Sequence, residues 1–171
     1  MFLSVRELEV KSVRFEQTLA PGVLSFELED VKQAGPLTAA GTVELVSSSE
    51  EIDVAGNLKV EMTGVCDRCL EPISLPVECE FDLAYYPVDD AGDKSEAEIK
   101  SSETEVAYYH GNGLELEDVL REQVLLSIPM QKLCREDCLG ICPHCGQNRN
   151  LATCACRVEA VDDRWSALKN L

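Results

Sequence analysis

Residues 134–156 read CREDCLGICPHCGQNRNLATCAC, which places six of the chain's nine cysteines in one short stretch. The same stretch holds only Leu139, Ile141 and Leu151 as large aliphatic residues. A segment so poor in apolar surface cannot bury a core of its own. Something other than hydrophobic burial must hold it, and the sulfur is the obvious means. The N-terminus, MFLSVRELEVKSVRF, mixes charge into its apolar residues and has no hydrophobic signal region. No apolar run approaches the roughly 20 residues needed to cross a bilayer. These features point to a cytoplasmic protein. In reducing cytosol, clustered cysteines serve metal or redox chemistry rather than disulfides.

The cysteines sort by their setting. Cys79 lies on the apolar side of an alternating strand, where a free thiol behaves as a small hydrophobe. Eight remain, two sets of four. Cys66-x-x-Cys69 falls in a turn between two strand patterns, and its spacing lets both sulfurs reach one ion. Cys142-x-x-Cys145 repeats the pair with Pro143 and Gly146 shaping a tight turn, and Cys154-x-Cys156 follows after a loop of zinc-ribbon length. Cys134 and Cys138 then pair with Cys66 and Cys69 as a second set. Pairings that swap Cys66/Cys69 with Cys142/Cys145 stay open at this level. His144 reads as an exposed turn residue rather than a substitute ligand.

Closed four-thiolate zinc sites, two ions in all, are the expectation, and such sites are structural. An iron–sulfur cluster is the weaker alternative, since thiolates also hold iron. The triad Cys138-x3-Cys142-x2-Cys145 matches the spacing of radical S-adenosylmethionine enzymes, but those require a large α/β barrel that this chain has no room for. A redox Cys-x-x-Cys would want a helix N-terminus beside it, and none is patterned here.

Upstream, LPVECEFDLAY alternates Leu75, Val77, Cys79, Phe81, Leu83 and Tyr85 with mostly acidic residues, and IDVAGNLKVEM alternates Ile52, Val54, Leu58, Val60 and Met62. Both are strands with one wet face. LSFEL and TVELV are shorter strand candidates, separated by a turn-rich KQAGPLTAAG. With no helical crossover between them, antiparallel pairing is expected. LELEDVLREQVLLSIP carries Leu116, Val119, Leu120 and Val124 at helical spacing, acids in its first turn and Pro129 as a stop. DDRWSALKNL reads as a last short helix, with Trp165 packing on it. The acidic, aperiodic stretch at about 88–105 reads as a loop. The fold class is therefore α+β: an antiparallel β-rich domain over 1–129 with a few helices, and a zinc-ribbon-like segment over 130–171 packed on it.

The formal net charge is −17. It is one-sided: residues 121–171 hold seven Lys/Arg against six Asp/Glu, so the first two thirds of the chain carry all the net acidity. Such a chain repels a phosphate backbone over most of its surface. Arg135, Arg149 and Arg157, interleaved with the cysteines, either offset thiolate charge or form a local RNA contact. Neither histidine has a serine or carboxylate signature near it, and no glycine-rich phosphate loop is present. The expectation is a non-enzyme without a small-molecule substrate.

CDRCLEP after an alternating strand, LREQVLLSIP leading into LCREDCLGICPHCGQNRN, then CAC and DDRWSALKNL at the end, resemble the YceD family, the large ribosomal RNA subunit accumulation proteins. The resemblance runs from about Gly56 to Leu171. One departure is Asp162-Asp163-Arg164, where the family more often has Asp-Pro-Arg. Some members keep the Cys66/Cys69-type pair without most of the later cluster, which fits a stabilising role for the metal. The resemblance implies a part in 23S ribosomal RNA synthesis, processing or stability, with large-subunit precursors, 23S rRNA or basic ribosomal proteins as partners. The competing expectation is a zinc-stapled adaptor between proteins unrelated to ribosomes.

Overall fold

A computed structural model describes residues 1–46, 50–88 and 107–156. The chain divides into two compact units, Met1–Gly64 with Ile73–Met130, and Val65–Pro72 with Gln131–Leu171. The Cys66/Cys69 turn thus groups with the later cysteines and not with the strands it connects.

In the first unit, β1 (Phe2–Ser4) leads into a single-turn helix α1 (Val5–Leu8), capped by the Ser4 hydroxyl. The strands β2 (Val13–Leu19), β3 (Lys32–Gln33), β4 (Leu37–Val46), β5 (Glu51–Val65), β6 (Pro72–Pro87) and β7 (Ala107–Tyr109) build one sheet in the order β2-β4-β5-β6-β7, with β3 beside the far part of β5. β1 pairs separately with β8 (Gly113–Glu115), and helix α2 (Leu116–Ser127) follows at once.

The alternation read in β5 sets the core. Ile52, Val54, Leu58, Val60 and Met62 all lie buried, while Asn57, Lys59, Glu61 and Thr63 are exposed and Asp53 and Ala55 half-buried. They meet Phe15, Leu37 and Val43 from β2 and β4, Val77 and Phe81 from β6, and Leu116, Val119, Leu120 and Val124 from α2. The helix ends at Ser127, with Ile128 as an extended C-cap just before Pro129, and Glu117 and Asp118 occupy its first turn. Cys79 is half-buried and packs against this core. No described helix is long and apolar enough to cross a membrane.

At one place the sheet dispenses with side chains. Gly41 of β4 faces Gly56 of β5, and the rings of Phe15 and Phe81 lie over the pair. A Cβ on Gly41 would stand 2.2 Å from the Ala55 carbonyl oxygen and 2.7 Å from Phe15 Cζ.

Two expectations need correction. LSFEL is not a strand: Leu24 and Phe26 are buried and Glu27 is exposed, but Glu27 has φ of 52°, which breaks the extended run. The alternating burial survives without ladder pairing. The sheet is also mixed and not purely antiparallel, because β7 runs parallel to β6 with Tyr85, Tyr86 and Pro87 opposite Ala107, Tyr108 and Tyr109. Residues 88–106 supply the length that a parallel return requires. The acidic stretch at 88–105, apart from Val88, and the terminal helix with Trp165 lie outside the described residues.

Candidate metal centres

Among the described residues of the second unit, the buried residues other than Gly140 are Cys66, Cys69, Cys138 and Cys142. The described residues of this unit include no buried aliphatic side chain. Its geometry is organised by two turns with the same backbone pattern. The Cys66 N–H donates to the Glu71 carbonyl at 2.8 Å, and the Leu70 N–H donates to the Cys66 carbonyl at 2.9 Å. The Cys142 N–H donates to the Gln147 carbonyl at 2.8 Å, and the Gly146 N–H to the Cys142 carbonyl at 2.9 Å. The fifth residue of each turn is left-handed, with φ of 61° at Leu70 and 72° at Gly146.

Two quartets result. Cys66, Cys69, Cys134 and Cys138 bring their sulfurs within 4.8 Å of one another, and so do Cys142, Cys145, Cys154 and Cys156. The swapped pairing left open by spacing is not the one adopted. In the first quartet Cys66 Sγ stands 3.8 Å from Cys138 Sγ, and Cys69 Sγ 3.6 Å from Cys134 Sγ. Four sulfurs each about 2.3 Å from a tetrahedral ion would stand about 3.8 Å apart, whereas a disulfide needs about 2.05 Å. The donor set thus fits a cation, and all nine cysteines are free thiols. All-sulfur tetrahedral geometry is compatible with zinc.

The electrostatics point the same way. Burial pushes the Cys66 thiol up, yet the backbone N–H groups of Cys134, Cys69 and Arg68 outweigh it and hold the group down at about 6. The N–H groups of Cys145 and His144 hold Cys142 at about 6 against its burial. Cys134, though its residue is exposed, is pushed up to about 12 by partial desolvation of its sulfur and by the thiols of Cys138, Cys69 and Cys66. Cys156, also exposed, is pushed up to about 12, first by its hydrogen bond with the Cys145 thiol and then by partial desolvation of its sulfur. Some sulfurs in each quartet are prepared as thiolates while others are kept protonated by their neighbours. Four thiolates at this separation coexist only around a cation. An ion held by four thiolates has no open position for substrate and stabilises the local fold.

Two residues that spacing could not single out hold the first quartet together. Arg68 Nη1 donates to the carbonyls of Glu136 and Cys138 at 3.3 and 3.1 Å, and the Arg68 carbonyl accepts the Ile141 N–H at 3.0 Å. Asn150 donates from Nδ2 to Cys138 Sγ at 3.3 Å. Alongside them, Asp67 pairs with Lys132, whose backbone N–H lies 2.6 Å from Asp67 Oδ2 and whose ammonium lies 3.1 Å from Oδ1. The sequence signal for these partners is only their position between ligands.

The arginines divide. Arg135 is engaged inside the unit, with Nη2 donating to Asn150 Oδ1 at 2.8 Å and Nε 3.3 Å from Asp137. Arg149 is exposed and lines, with His144 and Pro143, a cleft that also includes Cys142, Cys154 and Cys156 of the second quartet. Arg157 lies outside the described residues. His144 is exposed.

Known proteins with similar sequence are consistent with these motifs. The family described as large ribosomal RNA subunit accumulation protein YceD matches over residues 54–171, which takes in all eight clustered cysteines. The uncharacterised protein Rv2926c of Mycobacterium tuberculosis is 32% identical over 150 residues, covering 87% of this chain and 68% of its own. ML1660 of Mycobacterium leprae, also uncharacterised, is 27% identical over 124 residues, 72% of this chain and 54% of its own. The uncharacterised Bacillus subtilis protein YlbN is 23% identical over 170 residues, 98% of this chain and 92% of its own. No solved structure matches the chain.

Proposed function

Because the chain belongs to the YceD family of large ribosomal RNA subunit accumulation proteins, we propose that it is a non-enzymatic cytoplasmic factor supporting 23S rRNA and large-subunit assembly. The family match is the observation that carries this reading. Two structural zinc ions, one in each cysteine quartet, stand in for the aliphatic burial that the described residues of the second unit do not supply.

The mode of action follows from charge. With −17 overall, the protein is a poor general ligand for RNA. The first unit instead gathers Glu44, Glu51 and Asp82 around Asp53, whose carboxyl they help to raise. We assign this acidic unit to basic ribosomal proteins, which it would shield before they meet RNA. A direct RNA contact is the second reading, favoured by the exposed Arg149 beside His144 at the second quartet.

The test is the ratio of 23S to 16S rRNA in cells depleted of the protein, together with its position in a sucrose gradient. A falling ratio, and migration with large-subunit precursors, are expected. An unchanged ratio with the protein gone, and sedimentation near the top, would instead mark an adaptor unrelated to ribosomes. Recovery of rRNA on the tagged protein after ribosomal proteins are stripped would favour the RNA contact over the protein contact.

A further inference from the structure

The loop between Cys145 and Cys154 belongs by its ends to the second quartet, yet its middle serves the first. Asn150 uses every hydrogen-bonding capacity of its side-chain amide. Nδ2 donates to Cys138 Sγ at 3.3 Å and to Asn148 Oδ1 at 2.9 Å. Oδ1 accepts the Leu139 N–H and Arg135 Nη2, each at 2.8 Å. Asn148 in turn donates from Nδ2 to Glu71 Oε1 at 3.1 Å, just after Cys69. The loop is thereby joined to both ligand-bearing segments of the first quartet.

The backbone continues the connection. The Arg149 N–H donates to the Gly140 carbonyl at 2.9 Å, and Ile141 bridges to Asn148. Gly140 and Ile141 lie between Cys138 of the first quartet and Cys142 of the second. Residues 146–153 are also clamped at both ends by second-quartet cysteines. An ion bound there therefore orders the loop that presents Asn150 to Cys138.

Resting on the reading that both quartets hold metal, we propose that Asn150 is a positioning residue that couples them, so that an ion in the second quartet strengthens binding in the first. An N–H donor to a ligand thiolate stabilises its charged, metal-binding form. When the second quartet is empty, the loop must be ordered at the expense of first-site affinity. The coupling is reciprocal: loss of the first ion weakens the second site by the same factor.

The experiment is cobalt(II) titration of the full chain, stripped of metal and reduced, read by sulfur-to-cobalt charge-transfer absorption. Cys142→Ser with Cys145→Ser isolates the first quartet, and Cys66→Ser with Cys69→Ser isolates the second. Disabling the second quartet should weaken the first by about 10- to 100-fold, with an equal effect in the reverse direction. Asn150→Asp retains oxygen acceptors for Leu139 and Arg135 but loses the donor to Cys138. It should weaken the first site and shift its charge-transfer band when all cysteines are present, and do far less once Cys142 and Cys145 are serine. First-site affinity indifferent to the second quartet, or an Asn150→Asp effect equal in both backgrounds, overturns the coupling. Absence of sulfur–cobalt absorption in the unaltered chain overturns the metal reading itself.

If the serine variants do not fold, zinc release from Asn150→Asp to a coloured chelator answers the same question. Acceleration of both release phases supports the coupling, and acceleration of one alone defeats it.

Discussion

Leu70 occupies in the Cys66 turn the place that Gly146 occupies in the Cys142 turn, with the same hydrogen bonds and nearly the same left-handed φ. An L-residue is disfavoured there by about 1–2 kcal/mol, and only glycine escapes the cost. Leu70 is 61% exposed, so removing its side chain loses little packing. Leu70→Gly should therefore stabilise the second unit by about 1 kcal/mol once glycine's extra unfolded freedom is subtracted. Gly146→Ala should destabilise it by a similar amount, because its Cβ meets nothing within 4 Å and only the backbone objects. Thermal unfolding of the metal-loaded protein reads both. A Leu70→Gly protein less stable than the parent would count against the equivalence of the turns.

The glycine pair of the sheet makes a steric prediction. A methyl at Gly41 would collide with the Ala55 carbonyl and the Phe15 ring, and one at Gly56 would stand 2.6 Å from the Ala40 carbonyl oxygen. Backbone atoms in a central ladder cannot step aside as a flexible side chain can. Gly41→Ala should lower stability by about 1–3 kcal/mol, in the range of overpacked cores. The urea midpoint measures it, and a midpoint unchanged by the substitution would refute the close approach.

Asp53 provides the pH dependence. Burial, then the carboxylates of Glu51, Asp82 and Glu44, push its carboxyl above the ordinary 3.8, and Glu44 is directly opposite it on the neighbouring strand. The native state then holds this proton more tightly than the unfolded chain does. Its contribution to stability accordingly falls as pH rises from 3.8 through the raised native value, and the penalty is complete at neutral pH. Asp53→Asn should stabilise the protein at pH 7 by a few tenths to about 1 kcal/mol. The gain should shrink in acid and in high salt. A gain that is equal at pH 3.5 and pH 7 would place its origin outside electrostatics.

Metal removal should act unevenly. Native mass spectrometry is expected to find two zinc ions that are lost on denaturation. Chelation should release backbone protection in residues 65–72 and 131–156, whose buried residues are mainly cysteines, while β2, β4 and β5 keep theirs. Hydrogen exchange with and without chelator distinguishes this from global unfolding, which would show that the sheet depends on the ions too.

Much of the design was legible along the chain because it is local. Alternation places Ile52 to Met62 on one face of a strand whatever lies opposite, the spacing of Leu116 to Val124 demands a helix, and two residues between cysteines suit one ion. Family membership was legible for the same reason, since its motifs are short runs in a fixed order. Tertiary structure alone decided that Cys66 and Cys69 meet Cys134 and Cys138 across some 65 residues, because spacing specifies a pair but not its partner. It also decided the parallel return of β7, a three-residue strand too short to carry a period, and the loss of strand structure at Leu24–Leu28. The roles of Arg68 and Asn150 belong to the same class. Their chemistry is ordinary, and only the folded chain brings an amide from one cysteine loop to the sulfur of another, since hydrogen bonds act over about 3 Å regardless of separation in sequence.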